Sequence, residues 1–246
     1  MFYSTSKQIA KKPKKTGESM ALTLIFLEAS LERVPGVIAK HPAVLNDSRR
    51  RGKKPKELIL DDSKHHTAMK TLPKWRKRGR PDIVHMCLLS ALDSRVSDQI
   101  DIYIHTINNE VIWINNQTRL PRNYNRFIGL MEDLFRKRTI TYENTVLMKF
   151  LDGGLDELIS SISPSKIVLM SEEGEYKEDS LKDFLKENVA VCIGAFPHGG
   201  FEEETIEIMK KHNAVSVSLG EESLTSLYVT NRVLCKYEDV IRWSLS

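Results

Sequence analysis

The sequence predicts an α/β protein built around a parallel sheet, and two observations favour this class. Apolar, partly β-branched runs alternate with helical patterns, and the last third of the chain repeats a strand followed by a helix three times. Strands that alternate with crossover helices are typical of parallel sheets. At 246 residues and 41% hydrophobic content, the chain is long enough to bury one sizeable core.

Local signals predict the elements of the first half. An apolar run predicts a buried strand at residues 22–27, and Ser30 has the side chain of a helix N-cap before residues 31–33. A short strand is expected at residues 58–60. Helices are expected from Asp61 or Asp62 to Met69, and from Pro81 through Leu92, because aspartate caps helices and proline is tolerated in a first turn.

Periodicity predicts the elements of the second half. Alternating isoleucines predict a half-buried strand at residues 100–105, and Asn108-Asn109 then turns into a strand at residues 111–114. An apolar stripe predicts a helix at residues 123–135, with Arg122 and Arg126 opposite the stripe. Further strands are expected at residues 166–170, 189–193 and 214–219, and helices at about 180–186, at 202–211 and at the carboxyl terminus.

The net charge of +4 is distributed unevenly. Residues 1–20 carry five lysines and few apolar side chains, which predicts a flexible basic tail followed by one domain at residues 21–246. Residues 47–56 hold a second group of basic residues, broken by Gly52 and Pro55, and predict an irregular basic loop. Both segments favour a polyanionic partner, although a merely solvated terminus explains the tail equally well.

Several classes of protein are disfavoured. The chain has neither a membrane-spanning apolar run nor a secretory signal, so we expect a soluble, intracellular protein with no membrane partner. Cys87, Cys192 and Cys235 are widely spaced in apolar surroundings and are expected to be buried structural thiols. The histidines lack metal-ligand spacing, and patterns for dinucleotide, nucleoside triphosphate or serine-hydrolase sites are absent.

Three loops follow the predicted strands of the last third, at residues 171–175, 194–200 and 219–223. Ligands of open parallel sheets bind outside the carboxyl ends of the strands. Gly194 and Gly199 bracket the middle loop, where glycine permits a close approach of backbone to ligand, but glycines after a strand also serve as simple turns. His198 in that loop is a candidate proton carrier.

Two arginine-rich segments, RGRPD at residues 78–82 and TRLPRNYNRF at residues 118–127, form the second candidate surface. Arginine offers a planar fork for phosphates and base edges, so spaced arginines beside prolines suit structured RNA. A solvated face of ion pairs is the alternative. Asp82 either orients the guanidinium of Arg80 or simply favours the start of a helix.

These segments together resemble a known family. RGRPDIVH from Arg78, TRLPRNYNRF from Thr118, LDDSKHHTAM from Leu60, IGAFPHG from Ile193 and SVSLGEESLTSLYV from Ser216 are similar to motifs of the SPOUT-class small-subunit ribosomal RNA pseudouridine-N1 methyltransferases, the Nep/Emg family. The likeness covers about residues 22–246. The motifs are far more specific in combination and in order than any one of them alone.

The resemblance implies a SPOUT-type parallel sheet with a carboxyl-terminal trefoil knot and a family-specific N-terminal α/β extension. It implies a homodimer that uses S-adenosylmethionine to methylate N1 of a pseudouridine in small-subunit rRNA, supporting ribosome biogenesis, with ribosomal proteins or assembly factors as further partners. Location would be cytoplasmic, or nucleolar in a eukaryote. The basic tail and residues 49–54 are expected to add phosphate contacts.

The resemblance also implies roles for individual residues. Arg80 and Asp82 would be catalytic, and Arg80, Arg119, Arg122 and Arg126 would bind RNA. Cofactor contacts would be Met170, Gly194, Gly199, Leu219, Gly220, Glu221, Glu222, Ser223 and Leu224, with no metal. The acidic Gly220-Glu221-Glu222 departs from the family's less acidic loops.

Two other functions compete with this one. A non-catalytic ribosome-assembly factor would bind rRNA through the same arginines, and its RNA binding would survive damage to the loop between Gly194 and Gly199. A SPOUT methyltransferase acting on tRNA or on ribose would need different RNA-reading motifs.

Overall fold

The computed structural model describes residues 21–176 and 181–244, so the predicted basic tail lies outside the described residues. The strands are β1 (Ala21–Ala29), β2 (Ile100–Thr106), β3 (Val111–Ile114), β4 (Thr139–Tyr142), β5 (Thr145–Leu151), β6 (Lys166–Tyr176), β7 (Asn188–Gly194) and β8 (Val215–Ser218). The helices are α1 (Pro42–Arg51), α2 (Asp62–Met69), α3 (Pro81–Leu92), α4 (Tyr124–Lys137), α5 (Leu155–Ile162), α6 (Leu181–Phe184), α7 (Glu203–Lys211) and α8 (Ser226–Ser244).

The strands form one eight-stranded sheet in the order β4-β5-β3-β2-β1-β7-β6-β8. Strand β1 pairs in parallel with β2 and β7, and β6 pairs in parallel with β7 and β8. The pairs β2/β3, β3/β5 and β5/β4 are antiparallel. The sheet is therefore mixed. The predicted parallel arrangement is correct for β2, β1, β7, β6 and β8, and it is wrong for the edge formed by β3, β5 and β4.

Side chains of β1 alternate between the two faces of the sheet. Leu22, Leu24 and Phe26 face a core completed by α3, α4 and α8, whereas Ile25 and Leu27 face a smaller core completed by α5 and α7. The sheet is thus covered on both sides. Successive residues of a strand point to opposite faces, so a central strand that is covered on both faces is expected to be largely apolar, as β1 is.

The starts of α2 and α3 follow the predicted chemistry, and Asn123 caps α4 in the same way as Asp61 caps α2. The side chain of Asp61 accepts a hydrogen bond from the backbone N–H of Ser63, and that of Asn123 accepts one from Arg126. Pro81 occupies the first turn of α3. Ser30 is not an N-cap, however: the backbone continues without a helix, and its hydroxyl donates to the carbonyl of Lys77 at 2.5 Å. Residues 58–60 contribute one isolated bridge, between Arg33 and Ile59, rather than a strand.

The predicted basic loop is partly helical, because α1 continues through Arg51 before Gly52 ends it in a left-handed conformation. Three of its six basic residues pair with buried carboxylates. Arg51 and Lys53 bind Glu132 of α4, and Arg50 binds Asp47 at 2.8 Å. Composition predicted an irregular loop, but the helix and the long-range contacts with Glu132 give the segment a defined structure.

Candidate functional site

A cleft of about 710 Å³ opens beside residues 170–173 of β6 and the ends of β7 and β8, within the range typical of ligand pockets. The prediction of a loop at residues 171–175 is wrong, because these residues continue β6, whose pairing with β8 shifts register between Met170 and Glu175. Residues 170–173, the loops after β7 and β8 and the start of α3 form the walls of the cleft. Its lining includes Arg80, Asp82, Met86, Met170, Glu172, Glu173, Ile193, Gly194, Phe196, His198, Gly199, Gly200, Leu219, Glu222, Ser223, Leu224, Leu227 and Val229. Two predicted groups, the loop residues and the Arg80 segment, therefore meet in one cleft.

Most of the predicted cofactor residues line this cleft. They are Met170, Gly194, Gly199, Leu219, Glu222, Ser223 and Leu224. Gly220 and Glu221 belong to the same loop but do not line the cleft, because Gly220 closes a tight turn by hydrogen bonding through its N–H and its carbonyl to the hydroxyl of Ser218.

The two glycines of the middle loop differ in what the structure requires of them. Gly199 has a φ of +88°, a backbone conformation that other residues rarely adopt. A Cβ at Gly194 would lie 3.0 Å from the Phe196 ring, which would have to shift by a few tenths of an ångström. The shape of the loop thus depends on glycine at position 199.

Arg80 and Asp82 form a bidentate ion pair at the start of α3. The guanidinium donates from Nε to Oδ1 at 2.8 Å and from Nη2 to Oδ2 at 2.7 Å. The hydrogen bonds to Asp82 raise the pKa of Arg80, against a smaller opposing effect of burial. Asp82 therefore orients the guanidinium, and because it also lies in the first helical turn, both interpretations of this carboxylate hold.

The three remaining arginines lie outside the cleft. Arg119, Arg122 and Arg126 are exposed, and Arg122 binds Asp93 just beyond α3 at 2.9 Å. Their segment packs against α3: His85 Nε2 donates to the carbonyl of Pro121 at 2.8 Å, and its ring stacks on Phe127 with centroids 4.2 Å apart. Helix α3 thus connects the arginine surface to the end of the cleft that carries Arg80.

The sequence did not reveal the contacts of Tyr124, which was assigned only to the apolar stripe. Its hydroxyl donates to Asp61 Oδ2 at 2.9 Å, and Lys64 binds the same oxygen at 3.0 Å. Burial and the neighbouring Asp61 raise the pKa of Tyr124. This contact fastens the start of α4, and with it the arginine segment, to the start of α2.

Two buried charges beside the middle loop were also missed. Glu28 is 2% exposed and Lys77 is 5% exposed, and the two form an ion pair. A signal for Glu28 was present in the sequence, since this carboxylate interrupts the apolar run of β1. Lys77 gave none, because it belongs to a run of basic residues that resembles a solvated surface.

The remaining titratable candidates divide by exposure. His198 is exposed and lines the cleft. Cys87 and Cys192 are buried, and burial raises their pKa values to about 11 and about 12, whereas Cys235 is exposed, contrary to expectation, on α8. Within residues 21–176 and 181–244, no cluster of three or more histidine, cysteine or acidic side chains could hold a metal ion. None of the helices described there combines the length and apolar character that crossing a membrane requires.

Comparison with known proteins identifies similar chains. Residues 24–238 match the family model of the EMG1/NEP1 methyltransferases. The chain is 55% identical over 221 residues to the ribosomal RNA small subunit methyltransferase Nep1 of Archaeoglobus fulgidus, covering 90% of this chain and 97% of the relative. It is 44% identical over 224 residues to Nep1 of Pyrococcus furiosus, covering 88% and 96%.

The fold comparison agrees with the sequence comparison. The crystal structure of Archaeoglobus fulgidus Nep1 bound to S-adenosylhomocysteine superposes with a TM-score of 0.83 at 53% identity. The match covers 91% of this chain and all of that chain. The mixed sheet and its flanking helices are therefore shared with a protein that binds the product form of a methyl donor.

Proposed function

Because the chain belongs to the EMG1/NEP1 methyltransferase family, we propose that it transfers a methyl group from S-adenosylmethionine to N1 of a pseudouridine in small-subunit ribosomal RNA. The observation that carries this proposal is the meeting of residues 170–173 of β6 and the loops after β7 and β8 with the Arg80–Asp82 pair in one cleft. Such an activity would act where ribosomal subunits are assembled, which fits a cytoplasmic location.

The chemistry of the cleft fits the cofactor. Apolar side chains such as Ile193, Leu219 and Val229 suit an adenine ring, and the Gly199 backbone permits a close approach. The carboxylates of Glu172, Glu173 and Glu222 also line the cleft, and they complement the positive sulfonium and amino groups of S-adenosylmethionine. The acidic character of the last loop, unusual for the family motif, is consistent with this role for Glu222.

The RNA would lie along α3. Arg119, Arg122 and Arg126 supply exposed guanidinium groups beside this helix, and Arg80 lies at its start, on the edge of the cleft. Arginines at such spacing position RNA through phosphates and stack on unpaired bases. The target base would be flipped out of its stack to reach the cleft, as enzymes that act on bases generally require.

Arg80 would stabilise the charge that develops on the base. When bound, S-adenosylmethionine supplies the electrophilic methyl group and leaves as S-adenosylhomocysteine. The N1 proton of pseudouridine would pass to water before the N1–C bond forms, and the ring would then carry negative charge until the methyl group is transferred. A guanidinium held by Asp82 is preorganised to stabilise that charge, which is often the largest contribution to catalysis.

Replacing Asp82 by glycine should impair RNA binding, turnover and the start of α3 together. The variant loses the bidentate acceptor of Arg80 and a favourable first-turn acid, and it gains a flexible backbone, for a total cost of about 1–2 kcal/mol in unfolding free energy. Asp82→Ala is the matched control, since it loses the carboxylate without most of the glycine penalty. Thermal unfolding and RNA titration distinguish the two, and unchanged affinity and turnover in both variants would exclude the orienting role.

The experiment that tests the proposed function compares two small-subunit rRNA hairpins that differ only in having pseudouridine or uridine at the loop position. Incorporation of labelled methyl groups into the pseudouridine hairpin alone is expected. Labelling of both hairpins would place the methyl group elsewhere than N1 of pseudouridine. Tight binding of both hairpins without any labelling would favour the assembly-factor alternative.

A trefoil knot and a homodimer complete the proposal. The knot is supported by the close passage of β6 around β8: Val217 pairs with both Met170 and Glu175, and a Cβ on Gly174 would lie 2.7 Å from the Val217 backbone. The hydroxyl of Ser226, where α8 begins, also donates to the carbonyl of Gly194 at 2.6 Å. These contacts hold β6 against β8 and the start of α8 against the end of β7, around the cleft.

The dimer is expected to bury apolar side chains of α3 and α8. Met86 and Tyr228 are each 47% exposed on these two packed helices. Exposed apolar patches commonly mark interfaces. Sedimentation velocity should show a particle of twice the chain mass that Tyr228→Arg converts to monomer. Val37→Arg, at an exposed site on a short 3-10 turn near the N-terminal end, should leave the dimer intact.

A further inference from the structure

Lys77 is a buried cation that contacts the wall of the cleft without lining it. We propose that Lys77 and Glu28 are positioning residues that hold the loop 195–202 in its cofactor-binding shape. The inference rests on the proposed function, since it assigns cofactor binding to this loop. Neither residue belongs to the predicted catalytic or RNA-binding set.

The ammonium of Lys77 makes several contacts with this loop. It donates to the carbonyl of Gly200 at 2.6 Å, approaches Glu202 at 3.3 Å, and lies 4.0 Å from the centre of the Phe196 ring. Phe196 and Gly200 both line the cleft. One buried charge therefore contacts the loop near its beginning and at its end.

Glu28 supplies the opposing charge and a further contact. One carboxylate oxygen binds Lys77, and the other accepts the backbone N–H of Glu202 at 2.8 Å. Glu28 also has a φ of +48°, where the register of β1 shifts between Phe26 and Ala29. Strained backbone conformations persist where the surrounding structure requires them. The strained residue here is the one whose carboxylate contacts the loop 195–202.

The Lys77 end of the contact is itself immobilised. Its carbonyl accepts the hydroxyl of Ser30 at 2.5 Å, and the neighbouring Arg78 binds Glu32 through two hydrogen bonds of 2.7 and 2.6 Å. Gly79, with a φ of +69°, then turns the chain into Arg80. The segment that anchors the cofactor loop is thus continuous with the one that presents Arg80 to the cleft.

A buried ion pair contributes little net stability by itself, because desolvating two charges offsets their attraction. The ion pair can nevertheless order the loop 195–202, and this effect is separate from its effect on stability. A loop that is already ordered loses less conformational freedom on binding a ligand, and so binds more tightly. Substitutions at Lys77 or Glu28 should therefore lower cofactor affinity more than substitutions at ion pairs that do not contact the loop.

Lys77→Met tests this role, since methionine retains an apolar stem beside Phe196 but removes the donor to Gly200. We expect the dissociation constant for S-adenosylhomocysteine, measured by calorimetry without RNA, to rise about tenfold or more, as expected for the loss of one charge-assisted hydrogen bond. KM for S-adenosylmethionine should rise in parallel. The affinity for the pseudouridine hairpin should not change, because the exposed arginines remain.

Arg51→Met is the matched control. It breaks another ion pair with a deeply buried carboxylate, on Glu132, and within the described residues its charged partners, Glu132 and Asp47, lie outside the loop 195–202 and the segment that anchors it. Its affinity for S-adenosylhomocysteine should equal that of the wild type. Equal weakening in the two variants, or in neither, would overturn the proposal. Failure of the wild type to bind S-adenosylhomocysteine would overturn the cofactor assignment itself.

The double variant Glu28→Gln with Lys77→Met separates positioning from folding. Removing both charges avoids leaving one buried charge unpaired, so its thermal unfolding should return toward that of the wild type. The hydrogen bond to Gly200 is still absent, so its affinity for S-adenosylhomocysteine should remain low. Recovery of affinity together with stability would show that the pair is merely structural.

Discussion

Replacing Arg80 by alanine is expected to lower the single-turnover rate of RNA methylation about 10²- to 10³-fold. A preorganised donor aimed at developing charge contributes about this much when one such group is removed. Arg80 meets the requirement, because Asp82 holds the guanidinium with two hydrogen bonds at the edge of the cleft. Quenched-flow measurement of methyl transfer at saturating RNA isolates the chemical step from binding.

The control is Arg95→Ala, at the other end of α3. Arg95 is exposed and binds Glu238 of α8 at 3.4 Å, so the variant removes an arginine near the same helix without touching the cleft. Its methylation rate should match that of the wild type. Affinity for S-adenosylhomocysteine should be unaffected in both variants. A comparable rate in Arg80→Ala and Arg95→Ala at saturating RNA would show that Arg80 only binds RNA.

Elements with strong local signals could be predicted from the sequence. Helix α3 begins at Pro81 and α4 follows its apolar stripe, because capping and period depend on neighbouring residues alone. The apolar parts of the strands in the last third were equally clear, since buried parallel strands are continuous apolar runs. The polar continuation of β6 from Ser171 to Glu175 gave no such signal and was predicted as a loop. The Arg80–Asp82 pair could be anticipated for the same reason, as its members are two residues apart.

The antiparallel edge of the sheet could not be predicted. Strands β4 and β5 are joined by Glu143 and Asn144, which both have positive φ angles. Hairpins usually place glycine in such a turn, and its absence removes the strongest signal. Both strands also lie toward the exposed edge and carry polar residues, so neither gives a continuous apolar run.

Long-range contacts of basic side chains could not be predicted either. Lys77 contacts Gly200 across 123 positions, and Arg51 contacts Glu132 across 81. Both residues belong to runs of basic residues, and composition does not indicate which charge of such a run has a buried partner. The site was therefore predicted through its loops and arginines, and not through the charges that support them.

Replacing Glu132 by alanine is expected to lower the free energy of unfolding by about 3 kcal/mol, and the midpoint of thermal unfolding by about 6 to 12 °C. Glu132 is 4% exposed and binds Arg51 at 2.5 and 2.7 Å and Lys53 at 2.6 Å. Its removal takes the buried anion from both cations and leaves Arg51 only a contact of 4.0 Å with Asp47. This loss of unfolding free energy lies at the lower end of the range for breaking a buried ion pair, because Arg51 and Lys53 both retain some access to water.

Asp133→Ala supplies the comparison, because the adjacent carboxylate binds Arg136 at 2.7 Å on the exposed face of the same helix. That pair should contribute less than about 1 kcal/mol, so urea unfolding of the two variants separates a buried anchor from a surface contact. Equal destabilisation would show that Glu132 does not anchor α1 to α4. Below its unfolding transition, Glu132→Ala should methylate RNA at the wild-type rate, since in the described part of the chain Glu132 binds Arg51, Lys53 and the backbone N–H of Ile59, and none of these lines the cleft.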